Sequence, residues 1–139
     1  MKEYISKSIE DTEKIAKELA PLFKKNGFLA LYGEMGAGKT AFVRGIVKAL
    51  CPECLDLVHS PTFAIVNEYD GENTKIRHFD LYRIKDEDDL YSTGFYDCID
   101  RGYLVITEWS ENFESEIPKN AFKLRIERIS ENERRFVIC

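Results

Sequence analysis

Residues 28–50 read FLALYGEMGAGKTAFVRGIVKAL, and they restrict the fold more than any other stretch. An apolar run, Phe28 to Tyr32, meets Gly33-Glu34-Met35-Gly36-Ala37-Gly38-Lys39-Thr40, and an amphipathic stretch follows to Leu50. Strand, G-x-x-x-x-G-K-[ST], helix is the order that a phosphate-binding loop requires. The glycines let the backbone turn tightly and bring its N–H groups against phosphate oxygens. The helix that starts here adds the partial positive charge of its N-terminus. In such a loop Lys39 reaches the β- and γ-phosphates and the Thr40 hydroxyl can ligand Mg²⁺. A chance match in an ordinary sequence of this length has odds on the order of half a per cent, and the flanking strand and helix lower them further.

At 139 residues the chain is expected to form a single domain over residues 1–139, with a real core and little left for a second one. A net charge of −5 argues against free-standing affinity for nucleic acid, which needs a basic footprint. The opening MKEYISKSIEDTEK has no apolar segment of a secretion signal or membrane span. A cytoplasmic protein with thiol cysteines is therefore expected, with no membrane association. Cys51 and Cys54 form a C-x-x-C, but a zinc site wants a second pair and Cys98 and Cys139 stand alone. Both members of the C-x-x-C are expected to be loop residues.

Ser8 is a candidate N-cap, with acidic Glu10, Asp11 and Glu13 in the first turn behind it. Ile9, Thr12, Ile15, Ala16, Leu19 and Phe23 recur at helical spacing; Pro21 should kink or shorten this helix, and Asn26-Gly27 should end it. After the phosphate loop, Phe42, Val43, Ile46, Val47 and Leu50 form a buried helical stripe. Residues 51–61 are expected to be a loop, and Phe63 to Tyr69 and Thr74 to Leu81 strands around a turn at Asp70-Gly71-Glu72-Asn73. Asp86 to Asp89 open a short helix, and Gly94 to Asp100 a second short helix or turn. Tyr103 to Thr107 is a buried strand ending at Glu108-Trp109; two alternating strands, Ala121–Ile129 and Arg134–Cys139, close the chain. The fold class is thus α/β: a P-loop NTPase-like mixed β-sheet flanked by helices, with antiparallel hairpins.

A phosphate-binding loop needs a carboxylate near Mg²⁺, usually at the end of an apolar strand beside the loop strand. Glu108 closes Leu104-Val105-Ile106-Thr107, and Asp80 closes Ile76-Arg77-His78-Phe79. Two acids suit a site where one holds metal and the other positions or deprotonates a water, and the sequence leaves their roles open. Ser60-Pro61-Thr62 lies where GTPases carry a metal-sensing switch threonine, so Thr62 is a candidate γ-phosphate sensor. Trp109 follows Glu108 directly. His59 and His78 are too few for a metal cluster.

With these pieces in place the sequence resembles the bacterial TsaE (YjeE) family, the ATPase component of tRNA threonylcarbamoyladenosine synthesis. Four blocks carry the resemblance: residues 31–40, Ser60-Pro61-Thr62-Phe63 running into Val66-Asn67-Glu68-Tyr69, His78-Phe79-Asp80-Leu81-Tyr82-Arg83, and Ile106-Thr107-Glu108-Trp109. Gly94 and Asp97 fit the segment between the last two. The resemblance implies a small ATPase using ATP and Mg²⁺. It would act with TsaD and TsaB proteins, which modify adenosine 37 of tRNAs reading codons that begin with A, and it would meet tRNA only through that complex. In such proteins ATP binding and hydrolysis are thought to reset the complex between turnovers. Carried over, Glu34, Met35, Gly36, Ala37, Gly38 and Lys39 hold the phosphates, and Thr40 and Glu108 ligand the metal. Asp80 is the essential second acid and Thr62 the switch-like residue. The Trp109 ring responds to nucleotide, and Ser8, Asp11 and Thr12 lie along the adenine. Met35 stands where Leu is commoner and Ser110 where Pro is frequent; the resemblance carries neither Cys51–Cys54 nor residues 111–139.

Two other functions use the same loop. A small-molecule kinase needs an acceptor pocket and usually an Arg-bearing lid, for which 139 residues leave little room. A nucleotide-gated scaffold would bind without hydrolysing, and a GTPase switch lacks here any N-K-x-D for guanine. Adenine is preferred, and intrinsic turnover should be low because no arginine finger is evident.

Overall fold

A computed structural model of the chain describes residues 2–33, 38–58 and 65–138. Among them seven strands form one mixed sheet: β1 (Lys2–Ser6), β2 (Phe28–Tyr32), β3 (Val66–Asp70), β4 (Lys75–Asp80), β5 (Leu104–Glu108), β6 (Phe122–Arg128) and β7 (Arg134–Ile138). Their spatial order is β1-β7-β6-β2-β5-β4-β3. The four middle strands, β6, β2, β5 and β4, run parallel, and β3, β7 and β1 add antiparallel flanks. The expected mixed sheet with hairpins is what forms.

All five residues of β2 are buried, because both faces of this central strand are covered. Leu29 and Leu31 point toward α1 (Ile9–Asn26) and α2 (Lys39–Leu50), joining Phe23, Phe42, Ile46 and Phe136. Phe28, Ala30 and Tyr32 point the other way, toward α3 (Glu87–Ser92) and α4 (Phe95–Asp100), joining Phe79, Leu90 and Phe95. The period-2 alternation of a strand thus feeds two separate cores. Gly45 lets α1 and α2 close up: a Cβ there would lie 2.6 Å from the Ala16 Cβ and from the Glu13 carbonyl oxygen.

Several local expectations hold. Ser8 caps α1 by accepting the Asp11 N–H at 3.0 Å, and the Asp11 carboxylate accepts the Lys7 N–H. Gly27 ends that helix at φ 91°, its N–H bonded to the Phe23 carbonyl. Asp86 caps α3 through the Asp89 N–H.

Three expectations change. The helix α1 is not shortened at Pro21 but continues to Asn26. Ala16, Leu19, Ala20 and Phe23 anchor the turns on both sides of the exposed proline, and that burial outweighs one lost backbone hydrogen bond. Part of the loop expected over residues 51–61 is instead a 3₁₀ turn, Pro52–Leu57, started by a proline that suits a first helical position. Of the two cysteines expected to be loop residues, Cys51 directly precedes that turn and Cys54 lies within it, and both are buried in the core, Sγ to Sγ 3.0 Å. Burial, together with the hydrogen bond and charge of Cys54, pushes the Cys51 thiol up to about 12, which keeps it protonated and unreactive. The edge strand β1 has no counterpart among the expected elements.

Candidate functional site

The parallel strands end together. Tyr32, Asp80 and Glu108 close β2, β4 and β5 at one edge of the sheet, where ligand sites of parallel α/β folds gather. Asp80 and Glu108 are direct partners in the β4–β5 ladder, so their side chains leave the sheet on the same face. Both are about 5% exposed, which sets them apart from surface carboxylates.

The chain leaves β2 through Gly33, whose φ is 139°. A Cβ at Gly33 would sit 2.4 Å from the Ile126 carbonyl oxygen on β6, so only glycine passes here. Glu34, Met35, Gly36 and Ala37 lie outside the described residues, as do His59, Ser60, Pro61, Thr62 and Phe63. The chain resumes at Gly38, in the left-handed region at φ 99°, which caps α2. Lys39 and Thr40 begin that helix. The Lys39 Nζ donates to the Gly33 carbonyl at 3.0 Å, lies 4.0 Å from Glu108 Oε1, and sits 4.9 Å above the Trp109 ring. The amine is 6% exposed, so the loop's lysine and the acid of β5 share a partly dry pocket. Thr40 is half-buried in the first turn of α2.

Glu108 is held on two sides. His78, fully buried two residues before Asp80, meets its Oε2 at 2.5 Å. Burial pushes the Glu108 carboxyl up, but the His78 hydrogen bond and the electrostatic pull of His78 and Lys39 outweigh it. The acid is therefore held below its ordinary value of 4.5. A carboxylate accepts only, so His78 Nε2 carries the hydrogen of that bond. On its other side His78 Nδ1 is 3.4 Å from the Tyr69 hydroxyl, which accepts from Asn67 Nδ2 at 3.3 Å. The line Asn67–Tyr69–His78–Glu108–Lys39 runs from β3 across β4 and β5 to α2.

Asp80 is fixed differently. Its Oδ1 accepts the Tyr82 N–H at 2.9 Å, and its own N–H donates to the Ile65 carbonyl at 2.7 Å. Ile65, a β-branched residue at φ 61°, is strained just before β3. Trp109 is strained as well, at φ 59°. The next residue, Ser110, anchors it: its hydroxyl donates to the Leu31 carbonyl at 3.0 Å and is 2.7 Å from the Thr107 hydroxyl. A proline at position 110 would have no such donor. The Trp109 ring also meets Tyr82, centroids 4.9 Å apart.

Beside Gly38 a cleft of about 170 Å³ opens between the start of α1, the start of α2 and the β6–β7 turn. Ser8, Ile9, Thr12, Gly38 and Ala41 line one side of it, Glu131, Asn132 and Arg134 the other. Thr12 is buried there with its hydroxyl 2.7 Å from that of Ser6, whereas the Asp11 carboxylate is spent on the helix cap. The turn between the last two strands is where their alternation puts it, but neither its place as a wall of this cleft nor His78 as a partner of Glu108 has a signal in the local sequence. Among the described residues no group of three or more His, Cys, Asp or Glu converges as a metal cage, and no helix is long and apolar enough to cross a membrane.

Sheet order, the helices on both of its faces and the two acids at one edge define a small α/β protein with a seven-stranded mixed sheet. The profile of a family described as "Threonylcarbamoyl adenosine biosynthesis protein TsaE" matches residues 6–136. The chain belongs to the TsaE family, whose role lies in tRNA threonylcarbamoyladenosine biosynthesis. It is 41% identical over 135 residues to an Aquifex aeolicus tRNA threonylcarbamoyladenosine biosynthesis protein TsaE, with 97% of this chain and 93% of the relative covered. A Rickettsia felis protein of the same name is 38% identical over 125 residues, covering 90% and 72%. A Bacillus subtilis one is 33% identical, covering 90% and 77%. The crystal structure of Bacillus subtilis YdiB superposes with a TM-score of 0.69 over 99% of this chain and 83% of its own, at 24% identity, a likeness of fold.

Proposed function

We propose that the chain is a Mg²⁺-dependent ATPase of low intrinsic activity. It would drive turnover of a TsaD–TsaB complex that forms the threonylcarbamoyl group on adenosine 37 of tRNAs reading codons that begin with A. The observation that carries the reading is the convergence of Lys39 with Glu108 and its ladder partner Asp80 at the end of the loop strand. Lys39 and the amides at the start of α2 hold phosphate, and the cleft beside Gly38 offers a shallow place for a base. The reading keeps Thr62 and residues 34–37 as sensor and phosphate cradle on sequence grounds alone.

Mg²⁺ fits the donor set. It takes hard oxygen ligands at one or two carboxylates and completes its shell with phosphates and water, so it needs no all-protein cage. Thr40 and the ionised Glu108 would hold it, and it would supply charge neutralisation on the β- and γ-phosphates. Asp80, with Oδ1 engaged by the Tyr82 N–H, keeps Oδ2 to orient an attacking water. Trp109 closes the pocket over Lys39 and excludes solvent. A partner protein would hold the tRNA, because a net charge of −5 argues against free-standing affinity for nucleic acid. The described cysteines 51, 54 and 98 are free thiols, in keeping with work in the cytoplasm.

The test is to mix the protein with purified TsaD and TsaB and follow ATP hydrolysis and multi-turnover tRNA modification. Glu108→Gln and Asp80→Asn should each lose hydrolysis by about a hundredfold or more while ATP affinity falls far less, because interactions of the transition state are removed. Normal hydrolysis by both variants would sink the assignment of the acids. A phosphorylated small molecule in place of phosphate would favour a kinase, and intact ATP after long incubation a scaffold.

A further inference from the structure

His78 is fully buried with two polar ring nitrogens, and among the described residues it belongs to no cluster of His, Cys, Asp or Glu that could hold a metal. It stands at the step of β4 facing Ile106, two residues short of the Asp80–Glu108 pair and on the same face of the sheet. Burying an imidazole between two packed strands costs stability unless both nitrogens are satisfied. Here Tyr69 takes Nδ1 and Glu108 takes Nε2. Asn67 Nδ2 donates to the Tyr69 oxygen, the Tyr69 hydroxyl lies 3.4 Å from Nδ1, and Nε2–H donates to the carboxylate.

We infer that His78 is the positioning residue of Glu108: by holding Oε2 it fixes the carboxylate rotamer and leaves Oε1, the oxygen beside Lys39, as the one offered to a ligand. The inference rests on the proposed reading of Glu108 as a metal-holding acid and adds to it how that acid is aimed. Carboxylates that bind metal through one oxygen are commonly oriented by a hydrogen bond to the other, and loss of such a partner weakens metal binding about 10- to 100-fold. Tyr69 acts one step further back, holding the other side of the ring at Nδ1. Asp80 has its own backbone anchor at Tyr82, so the two acids are aimed independently. A side chain that merely filled space at position 78 would not need Nε2 at all.

The experiment is calorimetric binding of a non-hydrolysable ATP analogue, once in EDTA and once over a MgCl₂ series. His78→Leu removes the donor; His78→Gln keeps an N–H near the position of Nε2. The expected result for His78→Leu is an unchanged analogue affinity in EDTA, within about twofold, and a Mg²⁺ half-saturation raised about tenfold. His78→Gln should recover most of that loss, and in a Glu108→Gln background His78→Leu should add nothing further, since the two residues act as a unit. Equal losses in the Leu and Gln variants would mean that position 78 serves packing only, which overturns the inference. So would a His78→Leu protein with wild-type Mg²⁺ half-saturation. Wild-type protein that binds no analogue at all would instead overturn the functional reading on which the inference stands.

Discussion

The two faces of strands β4 and β5 are built from alternate residues of the same few positions, and they have been put to opposite uses. On the side of α1 and α2, His78, Asp80 and Glu108 bring three polar side chains to the edge of an otherwise apolar core. On the side of α3 and α4, Phe79, Leu81 and Val105 pack with Phe28 and Phe95. The Phe95 ring meets Phe28 and Phe79 edge to face, centroids 5.9 and 5.5 Å apart. Of the polar residues on that face, Thr107 is satisfied by Ser110 and Arg77 by Asp70 and Glu68 on β3. One face stores the stability that lets the other hold buried charge, because desolvated carboxylates and lysines are a liability to folding unless rigidly paired. The strands behave as a wall with a side edged by polar groups, called wet below, and a dry side.

The comparison breaks if the two sides cannot be disturbed separately. The largest effect should come from the dry side: Phe95→Ala is expected to cost about 3–5 kcal/mol of stability, read from denaturant midpoints. The folded fraction should still bind nucleotide with unchanged affinity. A drop in affinity of tenfold or more at full folding would show that the faces are coupled. Lys39→Ala is the counterpart on the wet side. It should weaken ATP binding at least a hundredfold, about 2.7 kcal/mol, and unchanged affinity by calorimetry would overturn the phosphate-loop reading. A smaller effect is expected where the two sides meet. Ser110→Ala removes the hydroxyl that ties the Glu108–Trp109 turn to Leu31. It should lower stability by about 1 kcal/mol and broaden Trp109 emission, and an unaltered melting curve would show that the tie is idle.

How far the sequence could foresee this division depends on the range of the signal. Alternation along Ile76–Leu81 and the run Leu104–Thr107 is local, and it announced both strands and both acids. The cap at Ser8, the stop at Gly27 and the loop of β2–α2 are local as well, since each follows from a few neighbouring residues. What remained hidden depends on pairing across the chain. His78 means something only once β4 lies parallel beside β5, which brings residue 78 to residue 108. Edge strand β1 owes its existence to β7, with Lys2 opposite Ile138; its own five residues are mostly exposed and carry no clear alternation. The Glu131–Arg134 wall of the cleft has the same origin, a hairpin turn carried over α2 by sheet order rather than by any motif. The burial of Cys51 and Cys54 was hidden for the same reason: a C-x-x-C beside a proline says nothing of the tertiary packing that covers it.

The smallest expected effect separates the sides by charge. Glu108 has its folded value held below 4.5, the value expected in the unfolded chain, so the unfolded state binds more protons over that range. Its contribution to stability is therefore present above about pH 4.5 and is lost as pH falls through the lower folded value. Urea midpoints of the wild type measured from pH 6 downward should fall more steeply in that window than those of Glu108→Gln, which has no group to titrate. Phe95→Ala, by contrast, should shift the whole curve down and leave its slope alone, because no ionisable group is removed on the dry side. If Glu108→Gln keeps the wild-type slope, the His78 and Lys39 contacts do not stabilise the charged acid. The polar edge of the wet face would then be an ordinary core boundary rather than a held charge.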